Sequence, residues 1–183
     1  MHSDLMVNVI KKNEIFGILL ILLIIIFVSY LNYLNSLRRQ RDFIRLLDMG
    51  NTAIALEKYK IDYDTYPKST DDGKIIACFD ENTDVLKDRY GRVVISSKGK
   101  WLRINLVPCE WGLDPLENDV YLEILPKDPK DNKGLRYFYE SDGSYFKLYG
   151  AYESKSVAGY NPEIAGSGKM CGLLPCSAIK VSK

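Results

Sequence analysis

The stretch NEIFGILLILLIIIFVSYLNYLNSLRRQRDFIRLL, from Asn13 to Leu47, limits more than any other how the chain can fold. Between Ile15 and Leu37 there is no charged residue, and Ile15 to Val28 is apolar on every side. A surface helix would place polar residues on one face at a period of 3.6, and none occur. About 20 such residues rise far enough to cross the roughly 30 Å hydrocarbon layer of a bilayer. Tyr30 and Tyr33 suit the interface at the far end. The expectation is a transmembrane helix over residues 15–37, preceded by a short basic segment, 1–14. A buried core helix seldom has more than about 14 wholly apolar residues. A cleaved secretory signal would end in a small-residue site and a break, whereas helix formers follow Ser36.

Neither Gly nor Pro interrupts Ile18 to Met49, so the helix is expected to continue past the membrane as an amphipathic segment over residues 38–66. At 100° per residue Phe43, Leu46, Leu47, Gly50, Ala53, Ile54 and Ile61 fall on one stripe. Arg41, Arg45, Asp48 and Thr52 lie opposite, and Glu57 sits at the edge of the apolar side. Phe43, Leu47, Gly50 and Ile54 are therefore the expected helix-packing positions, with Gly50 admitting a sheet backbone closely. From Glu14 to Ile61 the helix would be about 70 Å long.

The helix stops at YKIDYDTYPKSTDDGK, where Asp62, Asp64 and Thr65 favour turns and Pro67 forces Tyr66 out of helical geometry. Beyond it come short β-like runs: Val93-Val94-Ile95, then Trp101 to Val107 across the turn at Lys98-Gly99, then LRYFYESDGSYFKLYGAYE. Asp142-Gly143 between aromatic-rich runs is a strong hairpin signal. One long helix followed by antiparallel strands implies an α+β fold with a β-rich domain over residues 67–183. Removing the anchor leaves about 145 of the 183 residues, the size of one domain. A net charge of +1 gives no reason to expect a nucleic-acid partner, and the one dense basic cluster, Arg38, Arg39 and Arg41, faces lipid headgroups.

Catalytic chemistry finds little footing, and no enzyme is expected. The single histidine is His2, so Ser-His and Cys-His nucleophiles are absent. The carboxylate pairs Asp62 with Asp64, Asp71 with Asp72, and Asp128 with Asp131 all sit in turn-forming sequence, which explains them more simply than acid–base catalysis. DPKDNKG is the sharper alternative, because Asp128, Asp131 and Asn132 would place hard oxygen ligands for calcium in one tight loop. It lacks EF-hand spacing, and no other cofactor is indicated. Trp101 and Trp111 read as core aromatics ahead of a sugar or peptide surface.

The four cysteines are Cys78, Cys109, Cys171 and Cys176. The last two enclose GLLP, a loop short enough to close, leaving Cys78 and Cys109 as the other pair; three connectivities are formally open. Disulfides would imply an oxidising compartment. The alternatives are a four-cysteine zinc site, although Cys78 and Cys109 lack a close second ligand, and unpaired buried thiols.

In three places the chain resembles the type IV pilins and type II secretion pseudopilins, especially the major pseudopilin. The first is the bilayer-to-domain helix. The second is its end, with Leu56, Tyr59, Asp62, Tyr66 and Pro67. The third is the turn Leu125, Pro126, Asp128 and Pro129, leading into an aromatic hairpin with Phe146, Leu148, Ala151 and Glu153. The resemblance covers residues 14–67 and 121–153. It implies a pilin-like fold, a single-pass subunit of the inner (cytoplasmic) membrane with its C-terminal domain extracytoplasmic, and assembly with other pilin-like subunits through the N-terminal helix. Some pseudopilins also bind calcium in their β loops. This sequence departs from the family at the leader: Phe16 precedes Gly17, and the fifth residue from Ile18 is Leu22 where the family carries a Glu. Some tip subunits lack that Glu, so the resemblance reaches a minor or accessory subunit and stops short of implying leader processing. A count of flanking charges, Lys11 and Lys12 against Arg38, Arg39, Arg41 and Arg45, favours a cytoplasmic domain. The family and the cysteines favour the outside, and long domains translocate with less regard for flanking charge. The rival to a subunit of a pilus or secretion machine is a solitary membrane-tethered binding domain on the same scaffold.

Overall fold

The computed structural model describes residues 12–79, 106–117 and 121–182. Helix α1 runs without a break over Lys12–Tyr63. The chain divides into two compact units, residues 1–40 and 41–183. Over its described part the first unit is helix alone, and its large apolar side chains from Ile15 to Val28 are exposed. Among the described residues α1 is the one helix long and apolar enough to cross a membrane.

The second unit begins with the remainder of α1. The helix ends where Asp64 turns to a left-handed φ of 59° while its N–H still reaches the carbonyl of Lys60 at 2.9 Å, a common helix stop. Pro67 then commits Tyr66 to extended backbone, and the Tyr66 ring is buried edge-on against Phe146. Strands β1 (Lys68–Ser69), β2 (Ile75–Phe79) and β3 (Leu106–Pro108) form one antiparallel sheet in that order. Strands β4 (Phe138–Ser141) and β5 (Phe146–Gly150) make a hairpin, joined on its β5 side by β8 (Ala178–Val181). A short helix α2 (Pro162–Gly166) and a two-stranded ribbon, β6 (Met170–Cys171) with β7 (Leu174–Pro175), complete the unit. The fold is α+β with small antiparallel sheets, as the order of elements implied.

The β4–β5 hairpin forms where Asp142-Gly143 predicted it. Asp142 Oδ1 accepts from the backbone N–H and the hydroxyl of Ser144 at 2.8 and 2.7 Å. Gly143 has a φ of 102°, which side-chain-bearing residues rarely adopt. The expected strand Val93–Ile95, the turn at Lys98-Gly99 and Trp101 lie outside the described residues, as do His2 and Lys11.

One core cluster joins the second half of α1, through Met49, Ala55, Leu56 and Tyr59, to Ile75, Tyr139, Phe146 and Leu148 of the sheets. The buried helix face differs from the one expected. Asp42, Arg45, Met49, Thr52, Leu56 and Tyr59 are inward, spaced by alternating steps of three and four. Phe43, Leu47 and Ile54 are 56, 48 and 58 % exposed. Beyond the helix's own neighbouring backbone, nothing among the described residues lies within 4 Å of a Cβ placed on Gly50. Of the expected stripe, only Leu46 and Ala53 at its edge pack on the core. Projection treats charge as outward, and that rule fails where buried charges find partners across the interface. The close approach of backbone occurs at Gly150 instead, where an added Cβ would lie 2.8 Å from Met49 Sδ.

Candidate functional site

Two features of the α1 segment beyond residue 40 stand out: an ionic anchor on its inner side and an apolar stripe on its outer side. Asp42 and Arg45, one turn apart, point into the domain and are fully buried. Arg45 donates from Nε and Nη2 to the two oxygens of Asp128 at 2.8 and 3.0 Å. Its Nη1 donates to Asp42 at 2.8 Å and to Glu153 at 3.0 Å. Asp42 in turn accepts the backbone N–H groups of Glu153 and Ser154, both at 2.9 Å. Glu153 also receives Arg41 and Lys130, at 2.6 Å each at the shortest contact.

Three cations, Arg41, Arg45 and Lys130, thus meet three anions, Asp42, Asp128 and Glu153. Burial opposes the charge on Arg45, but the hydrogen bonds and field of Asp128, joined by Glu153 and Asp42, hold its pKa above the usual arginine value. Burial likewise opposes the Glu153 charge, and donors from Arg41, Lys130 and Arg45 overcome it and hold the pKa at about 2. Beside the network, the Tyr137 hydroxyl donates to Asp48 at 2.7 Å. Burial lifts the Asp48 carboxyl above its usual range, with Tyr137 partly offsetting the shift. The charges are mutually engaged, so the cluster fixes the rotation of the helix against the domain.

On the opposite side of the helix Phe43, Ile44, Leu47, Ile54 and Ile61 are exposed, Ile61 by 78 %. Phe43, Leu47, Gly50, Ile54 and Ile61 keep the three-and-four spacing of a helix–helix seam, with Glu57 at the remaining step. The sequence had identified this stripe but assigned it to the sheet. The anchor was missed. Its one sequence signal was an Asp42–Arg45 pair at i,i+3 on the helix, and the partners Asp128 and Glu153 are distant in the chain.

The calcium loop requires a second correction. Asp128 is turned inward and spends both oxygens on Arg45, and Oδ1 also accepts the Lys130 N–H at 2.7 Å. Asp131 is exposed and pairs with Lys127 at 3.0 Å, and Asn132 is exposed in the short 3-10 turn Asp131–Lys133. These oxygens do not converge. A carboxylate already clasped by a guanidinium is a poor calcium ligand, since the metal would have to displace the arginine. Among the described residues no three His, Cys, Asp or Glu side chains are grouped to hold a metal.

Both expected disulfides are present, Cys78 with Cys109 and Cys171 with Cys176. The first ties β2 to the residue following β3, and the second closes the β6–β7 ribbon. Asp62 accepts from Tyr121 at 2.6 Å, and Asp72 accepts from Thr70 at 2.6 Å. Trp111 packs on the core and donates to the carbonyl of Gly73 at 3.2 Å. No family model matches the chain, and no curated protein or solved structure matches it either.

Proposed function

We propose that the chain is a membrane-anchored structural subunit of pilin-like or pseudopilin-like character, which assembles with other pilin-like proteins through its N-terminal helix. Its work is assembly, not catalysis. The observation that carries this reading is the outward stripe Phe43, Leu47, Ile54 and Ile61 on the same continuous helix as the apolar span, opposite the anchored face. An apolar seam held at a fixed rotation is what a neighbouring helix needs for knobs-into-holes packing. Solvent gains nothing from such a stripe, whereas a tethered solitary domain would do better with a polar one. Two disulfides favour a domain on the oxidising, extracytoplasmic side of the membrane.

A photo-crosslinking residue at Leu47 or Ile54 of the full chain, in its native membrane, tests the reading. Adducts with proteins that carry their own apolar N-terminal helix are expected from both positions and not from buried Leu56. Absence of adducts from both outward positions would leave the solitary tethered domain as the better reading. Protease added to spheroplasts should digest the domain if it lies outside, and spare it if it lies in the cytoplasm.

A further inference from the structure

Among the described residues Glu117 is the fully buried carboxyl that the ionic anchor leaves out. It is 3 % exposed, and its backbone is held at a φ of 54°, a region that non-glycine residues seldom occupy. The residue before it, Leu116, bridges to Leu122 and belongs to the main core. The Glu117 side chain is directed to the last turn of α1, where the Tyr63 hydroxyl donates to Oε1. Oε2 is buried and finds no hydrogen-bond partner among the described residues.

The surroundings are aromatic and acidic. Tyr59 and Tyr63 lie with ring centroids 4.4 Å apart, and Tyr121 stands 5.5 and 6.4 Å from them. Tyr121 directs its own hydroxyl to Asp62. Among the described residues the groups that act on Glu117 are Tyr59, Asp62 and Tyr63 of the helix, together with Tyr121. Among the described residues no lysine or arginine is paired with it. A carboxylate with one donor and no counter-ion is a costly thing to bury, and such a group keeps its proton instead.

We propose that Glu117 is a proton-operated switch: protonated, it holds itself and Leu116 against the tyrosines at the end of α1, and on losing its proton it leaves them for water. The inference is independent of the assembly reading, since it concerns packing within one domain. Burial, with a further push from Asp62 and against the Tyr63 hydrogen bond, raises the Glu117 pKa to about 7. The folded value lies above the unfolded one of about 4.3. The contribution to stability is therefore complete below about pH 4.3 and is lost as pH rises through about 7.

The test uses the full chain in detergent micelles, with near-ultraviolet circular dichroism reporting tyrosine packing between pH 5 and 8. The unaltered protein should show a titration of the tyrosine signal with a midpoint near pH 7, and its melting temperature should fall over the same range. Glu117→Gln should abolish that titration and melt higher than the parent at pH 8. Tyr63→Phe removes the donor to Oε1 and should move the midpoint upward. A tyrosine signal that stays flat from pH 5 to 8 in the parent overturns the proposal. So does a Glu117→Gln protein that titrates like the parent, because Asp48 or another group would then be responsible. If Glu117→Gln fails to fold, the Tyr63→Phe midpoint decides: one unmoved or lowered overturns the switch.

Discussion

Arg45 clasps both carboxylate oxygens of Asp128 across 83 positions of sequence, with 0 and 1 % of the two side chains exposed. The pair joins the helix to the turn that leads into the aromatic hairpin. Removing one member leaves the other charge buried and uncompensated, which costs about 3–5 kcal/mol. Arg45→Met should accordingly lower the melting temperature of the domain by roughly 10 °C or more. Arg45→Lys should lose part of this, because an ammonium cannot reproduce the two-pronged contact. The double variant Arg45→Met/Asp128→Leu should lose less than the two single changes together, which calorimetry of the four proteins would measure.

Glu153 sets the acid limit of the same network. Its folded pKa, held down at about 2, lies below the unfolded value. The stabilisation is therefore complete above about pH 4.3 and drains away as pH falls toward 2. Glu153→Gln should melt lower than the parent at pH 6, and the difference should close in acid. Melting curves at pH 6, 4 and 3 provide the check. A gap that persists unchanged at pH 3 would assign the loss to packing around Glu153, not to its charge.

The sequence made the long elements legible because they depend on local chemistry. The unbroken apolar run and the absence of Pro specify one helix, Pro67 and Asp64 stop it, and Asp142-Gly143 turns the hairpin. The cysteine pairing was legible only in part: Cys171 and Cys176 are close in the chain and favour each other, but three connectivities were open until the fold brought Cys78 against Cys109. What could not be read was which face of the helix is buried. Asp42 and Arg45 line the inner face only because Asp128 and Glu153 meet them there, and a helical projection has no knowledge of residues 83 and 111 positions away. The same blindness made Asp128 resemble a calcium ligand, since its partner lies outside the loop.

The observed buried face decides the sign of substitutions at two neighbouring positions, Gly50 and Thr52. A Cβ added at Gly50 would meet nothing within 4 Å among the described residues beyond the helix's own backbone, and a helical Gly costs about 1 kcal/mol relative to Ala. Gly50→Ala should therefore stabilise the domain by up to about 1 kcal/mol. Thr52 is fully buried, and its hydroxyl donates to the Asp48 carbonyl at 2.8 Å. Thr52→Leu should destabilise it by about 1–3 kcal/mol through overpacking. Chemical denaturation of both variants reads the signs directly, and a stable Thr52→Leu protein would return that position to the surface.

The two disulfides close loops of unequal length, with sequence separations of 31 for Cys78–Cys109 and 5 for Cys171–Cys176. Cross-linking removes freedom from the unfolded chain in proportion to the logarithm of loop length, about 4 kcal/mol for the first and about 2 kcal/mol for the second. All four cysteines are buried, so replacing either pair with alanine sacrifices some packing as well. Cys78→Ala/Cys109→Ala should therefore cost more stability than Cys171→Ala/Cys176→Ala, by roughly 1–2 kcal/mol. Non-reducing peptide mapping of the parent should first recover both pairings, and denaturant curves of the two double variants then give the ranking. Cys171 and Cys176 sit in a smaller cluster with Leu135, Tyr149 and Ala151, apart from the main core. If the short loop proved the costlier to open, its value would lie in ordering that cluster in the folded state, and the β6–β7 ribbon with exposed Leu173 would depend on the bond for its shape.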